Sequence, residues 1–124
     1  MENTKILSKQ DIIEVDDLPK ELIEVKEWGG SVYVRGLTSG ERSVFEKEAS
    51  SKEGIDVATL RERLCAMAMI NENGESLFSL KETKVLSKKS AVALQRIFIA
   101  AQKLAGIGEE MVKEAVEDFP EDQS

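Results

Sequence analysis

Apolar residues change period twice along this chain. From Leu22 to Gly36 they alternate with polar ones, the period of a half-buried strand. Gly29-Gly30 interrupts that stretch and suits a two-residue hairpin turn. The pattern predicts a β-hairpin over 22–36, with Val25 opposite Val34, Glu24 opposite Arg35 and Lys26 opposite Tyr33. Its core-facing side would gather Ile23, Val25, Val32 and Val34. The other side would gather Glu24, Lys26, Trp28, Tyr33 and Arg35. A lone hairpin is marginal in water, so helices are expected over its apolar face.

After the hairpin the period becomes helical. Thr38-Ser39-Gly40-Glu41 is a capping box and starts a helix over about 39–48 that buries Val44 and Phe45. Ser50–Gly54 reads as a loop. Asp56 can cap a helix over about 56–70, with Val57, Leu60, Leu64, Met67 and Ala68 at helical spacing. Asn71-Glu72-Asn73-Gly74 is a turn signal, and Leu77-Phe78 gives a brief apolar contact. Ser79-Leu80-Lys81-Glu82 is a second capping box, opening a short helix over 80–86. The longest helix spans about 88–105, capped by Ser87 or Ser90 and ended by Gly106. Leu94, Ile97, Phe98, Ala101, Leu104 and Ala105 form its core stripe. A last helix over 109–118 carries Met111, Val112, Ala115 and Val116, with Phe119 just beyond.

The organisation predicted is a polar arm over 1–20, one α+β domain over 21–119 and a disordered acidic tail over 120–124. In the arm, Ser8 and Asp11 cap a short helical segment, and Ile12, Ile13 and Val15 supply a small apolar contact. The fold class is α+β: an N-terminal hairpin packed on a small, mainly helical assembly.

Composition narrows the function. The 124 residues carry a net charge of −7, with 33% of them charged. That balance repels phosphate backbones and anionic membranes and argues against general nucleic-acid binding. No run approaches the ~20 apolar residues of a membrane span, and no signal peptide is evident. The single cysteine, Cys65, lies in an apolar stretch and suits a reducing compartment. There is no histidine, which removes His-dependent triads and the common zinc motifs.

The remaining candidate chemistry dissolves on inspection. Gly106-Ile107-Gly108 follows a helix and lacks the third glycine of a dinucleotide loop, so it reads as a helix-to-helix turn. A calcium loop around Gly74 would need Met69 and Leu80 as ligands, which cannot bind a hard cation. The adjacent acids Asp16/Asp17 and Glu109/Glu110 read as solvated. Lys84, Lys88 and Lys89 lack interleaved aromatics for base stacking. No catalytic, metal or cofactor site is expected.

Two sets survive as partner-binding candidates. Trp28, Tyr33 and Arg35 are residue types enriched at interaction hot spots, unless a helix or the arm covers them. Val92 and Ile99 lie one heptad apart, away from the core stripe and beside Lys89, Arg96 and Lys103. They mark either a helix packed on all sides or a seam for an oligomer or partner.

The segments Asp16-Asp17-Leu18-Pro19, Val25-Lys26-Glu27-Trp28-Gly29-Gly30 and Val32-Tyr33-Val34-Arg35-Gly36-Leu37-Thr38, followed by Glu41-Arg42 and Phe45, resemble a family of tail assembly chaperones of long-tailed (siphovirus-type) phages and prophages. Asn73-Gly74-Glu75-Ser76-Leu77-Phe78 and the helix through Leu94 and Leu104 are similar to its second half. The resemblance covers about residues 8–119. It implies a protein of the host bacterial cytoplasm that binds and solubilises the tape-measure protein while the tail is built, and that is absent from the finished virion. The partners implied are the tape-measure protein, the major tail protein and further copies of the chain, since some members self-associate. It implies no catalytic residues. The rival expectation is a structural virion component, such as a tail or head completion protein. An acidic mimic of nucleic acid fits less well, because acids here mix with Lys and Arg on most segments.

Overall fold

Strand β1 (Lys20–Val25) starts directly after Pro19 and pairs antiparallel with β2 (Gly30–Arg35). The computed structural model describes residues 4–49 and 57–107. The predicted loop at Ser50–Gly54, the Asp56 cap, the helix over 109–118 and the tail over 120–124 lie outside them.

The hairpin register differs from the expected one. Gly29-Gly30 does not form a two-residue turn. Lys26–Trp28 makes a 3-10 turn instead, and Gly29, at φ 74°, closes it by donating its N–H to Lys26 O at 3.1 Å. Glycine takes that backbone conformation without steric cost. The turn carries Trp28 onto the core, a burial that a Gly-Gly turn would not give. The partners are therefore Ile23 with Val32, Leu22 with Tyr33 and Lys20 with Arg35. The shift is four residues, an even number, so no strand side chain changes face; only Trp28, drawn into the turn, leaves the predicted outer set. Ile23, Val25, Val32 and Val34 share the inner face as expected.

A third strand was not visible in the sequence. The helix over 56–70 stops at Ala68, and Met69–Ile70 forms β3, pairing antiparallel with β2 through Val34 and Tyr33. The sheet order is β1-β2-β3. The turn at Asn71–Gly74 then folds the chain back, with Ser76 bridging Ile70 and the Leu77 N–H donating to Met69 O at 3.0 Å. Met69 and Ile70 leave the helix because β2 offers an unpaired backbone edge that they satisfy.

The helices begin where their caps dictate. In α1 (Lys9–Glu14), the Asp11 N–H donates to Ser8 Oγ at 3.1 Å and the Ser8 N–H donates to Asp11 Oδ2 at 3.0 Å. Thr38 and Glu41 make the same reciprocal pair at the start of α2 (Ser39–Ala49), at 3.1 and 2.9 Å. α3 covers Val57–Ala68. Ser79 and Glu82 cap a 3-10 turn that leads into α4 (Thr83–Leu86). Ser90 caps α5 (Ala91–Ala105), and Gly106 ends it with Ile107 N–H bonded to Gln102 O at 2.9 Å, a Schellman closure.

Helix α5 is the centre of the packing. It lies against the sheet through β1 and β2 and against α3. Val25, Val34, Phe45, Leu60, Leu64, Met69, Leu86 and Ile97 are fully buried there, each worth roughly 1.5–3 kcal/mol of transfer free energy. The C-terminal turn of α5 comes so close to β2 that a Cβ on Gly36 would stand 2.8 Å from Leu104 O. Two expected core contacts are absent. Val44 faces outward while Phe45 takes the core position. Ile12, Ile13 and Val15 are exposed, and α1 buries none of its residues.

Candidate partner-binding surface

The sheet separates the predicted trio. Tyr33 and Arg35 sit on its outer face, whereas the 3-10 turn packs Trp28 against the core, where it shares a groove with Val32 and Phe78. Trp28 forms one wall of an open groove of about 450 Å³. Val32, Met69, Leu77, Phe78 and Leu86 supply the rest of its apolar lining, and Glu27 and Lys89 its charged groups. Met69 and Leu86 are buried, while Leu77 is exposed, so apolar surface runs from the core out to solvent.

The turn that carries Trp28 is pinned. Arg96 on α5 donates to both oxygens of Glu27, at 2.8 and 3.1 Å, across 69 residues of sequence. The hydrogen bonds from Arg96 hold the Glu27 carboxyl down to about 2. Arg96 was expected as a flanking charge of the Val92–Ile99 seam; it is committed to the hairpin turn as well.

Arg35 is also committed. Its guanidinium donates to Glu41 Oε1 and Oε2 at 2.7 and 2.8 Å and to Gly36 O at 2.8 Å, and its side chain is only 13% exposed. The hydrogen bonds from Arg35 lead the depression of the Glu41 pKa. Since Glu41 also caps α2, Arg35 ties β2 to that helix start. Tyr33 is half-buried, with Lys20 Nζ 5.0 Å from its ring centroid. A second groove, of about 400 Å³, lies beside Arg35 and is lined by Asp16, Leu18, Lys20, Thr38, Ile70 and Gly74.

Val92 and Ile99 are 64% and 54% exposed, so α5 is not packed on all sides. Its outward positions combine these two residues with Lys103 and the Arg96 of the turn clamp. No acid occurs between Thr83 and Gly108, while Lys84, Lys88, Lys89, Arg96 and Lys103 do. This is a cationic stretch in an acidic chain.

Sequence reasoning missed that Leu77 and Phe78 line the same groove as Trp28. The available signal was an apolar pair alone in a polar stretch, which marks a contact but not its location. Cys65 is buried, donates its thiol to Leu94 O at 3.6 Å, and is pushed up to about 12 by burial, so it is no nucleophile at neutral pH. Among the described residues no group of three or more His, Cys, Asp or Glu could hold a metal ion. No helix among them is long and apolar enough to cross a membrane.

Comparison with family models, curated proteins and solved structures finds no match to this chain. The surface itself is what the functional reading can use. It has apolar anchoring sites set in charged surroundings and held on pinned elements, an arrangement suited to binding a protein segment by burial.

Proposed function

We propose that this chain is a phage or prophage tail assembly chaperone, which binds the tape-measure protein in the host bacterial cytoplasm and keeps it soluble during tail assembly. The observation that carries the reading is the apolar groove at Trp28, open beside Leu77 and flanked by Glu27 and Lys89. Long amphipathic helices are recognised by grooves that take apolar anchors one turn apart. A tryptophan wall supplies the large buried area typical of an interaction hot spot. The resemblance of the hairpin and its flanks to tail assembly chaperones supports the same reading. In this proposal the chain performs no catalysis and needs no cofactor.

The test is co-expression with a tape-measure protein, read by solubility and by pull-down. The client becomes soluble only with this chain, and Trp28→Ala or the more exposed Leu77→Asp weakens the complex by about 2 kcal/mol or more. A client that neither binds nor gains solubility refutes the reading. Recovery of the chain in purified virions favours a structural tail or head component instead.

A further inference from the structure

Phe78 belongs to more than one hollow. It lines the groove at Trp28 and also a smaller groove of about 190 Å³. Val44 on α2, Met67 on α3 and Leu80 supply the apolar lining of the smaller one. Leu77, Val44 and Leu80 are all exposed. Apolar surface therefore continues from Trp28 past Phe78 to Val44, across elements far apart in sequence.

Three charged residues line these grooves: Glu27 and Lys89 the larger, Glu41 the smaller. Both acids are already engaged. Arg96 donates to both oxygens of Glu27, and Arg35 to both oxygens of Glu41, whose Oε1 also accepts the Thr38 N–H. Lys89 is exposed and forms no ion pair among the described residues. It stands in the acid-free stretch 83–108, shortly after Lys84 and Lys88. The one uncommitted charge lining the apolar track is thus positive. A carboxylate carried beside apolar anchors gains an ion pair there, whereas an ammonium meets a cation that no free acid offsets.

We infer that the two grooves together take one amphipathic helix of the partner, with an apolar side chain in each groove and a carboxylate on the Lys89 ammonium. The inference rests on the chaperone reading for the identity of that partner. It adds the sign of the charge that the bound segment carries. A helix presents apolar anchors of this kind along one face. The net charge of −7 opposes the choice, since an acidic chain repels an acidic segment at a distance. Physiological salt screens that repulsion beyond about 8 Å, and the contact at Lys89 lies within that range. Local charge therefore selects the segment, while the acidic exterior keeps the complex dispersed.

The experiment reads Trp28, the only tryptophan of the chain and a wall of the larger groove. Two synthetic helices without tryptophan, each of about 14 residues or roughly four turns, are titrated into the full chain. Both carry leucines along one face. One has glutamates beside the end of that stripe, where its twin has lysines. The glutamate peptide should shift the Trp28 emission and bind about fivefold more tightly than its twin, with added salt closing the gap. Net charge alone favours the lysine twin, so this preference reports the local contact. Lys89→Glu, at an exposed position, should invert it. Val44→Asp, also exposed, should weaken both peptides about tenfold by spoiling the smaller groove. Twins that bind the parent equally, or a tighter lysine twin, overturn the inference even where the chain keeps a tape-measure protein soluble. A tape-measure protein left insoluble refutes the chaperone reading while the preference between the twins stands, so the two fail separately. Unchanged binding by Val44→Asp overturns the two-groove arrangement. Emission that responds to a free aliphatic carboxylate and to neither peptide overturns the inference in favour of a small-molecule site.

Discussion

Helices α1 and α5 both begin at a serine whose hydroxyl accepts the N–H of the residue three places on, yet α5 buries seven residues and α1 none. The two helices separate contributions that most helices combine. A cap decides where a helix starts, because it satisfies N–H groups that have no partner inside the helix. It does not decide whether the helix is held to the domain. Burial does that, and α1 has none among the described residues.

Matched substitutions turn this contrast into measurements. The largest difference is expected between Ile97→Ala and Ile12→Ala. Ile97 is fully buried in α5, and its truncation should cost about 2–5 kcal/mol in urea unfolding. Ile12→Ala, at a side chain 59% exposed, should leave the unfolding midpoint unchanged. A midpoint that falls for Ile12→Ala would show that α1 is packed on its own domain. The caps come next. Ser90→Ala should cost about 1 kcal/mol of global stability, while Ser8→Ala should only speed amide exchange at Asp11 and Ile12.

The smallest effect concerns the clamp between α5 and the hairpin turn. Glu27 titrates at about 2 in the folded chain, below the ordinary 4.5. A depressed carboxylate stabilises the fold above its ordinary value, and that contribution disappears as pH falls from about 4.5 through about 2. Glu27→Gln should therefore be less stable than the parent at neutral pH and should approach it in acid. A constant gap between the two down to pH 2 would show that the Arg96 pair contributes nothing to stability. The pair is solvent-accessible, so added salt should narrow the gap.

Local chemistry was readable in the sequence. The caps at Ser8, Thr38 and Ser79 and the stop at Gly106 each depend on a few adjacent residues, whereas the start of α5, expected near 88 behind Ser87 or Ser90, falls at Ala91 behind Ser90. The faces of the two strands follow from alternation alone, which is why they survived a wrong register, while Trp28 changed sides with the turn. The features that could not be read depend on distant partners. The observed register goes with a 3-10 turn that packs Trp28 on the core, which a Gly-Gly pair does not announce. β3 forms because β2 needs a neighbour, while Met67 to Ile70 reads equally well as a buried helix end. The roles of Arg35 and Arg96 were hidden because Glu41 and Glu27 are placed against them only by the fold. The candidate surface was legible in part. Trp28, Val92 and Ile99 were visible by residue type and spacing, but the groove needed Leu77 and Phe78 from across a turn.

Cys65 gives the molecule a built-in stopwatch. Its thiol lies in the interface between α3 and α5, where an alkylating reagent meets neither the sulfur nor a thiolate. Labelling must wait for those helices to part, so its rate counts openings of the core and ignores motions of the arm. A second cysteine placed at the exposed position of Ile13 would react at once. One sample, one reagent and two time courses would then record the core and the N-terminal segment separately, with the native cysteine left in place.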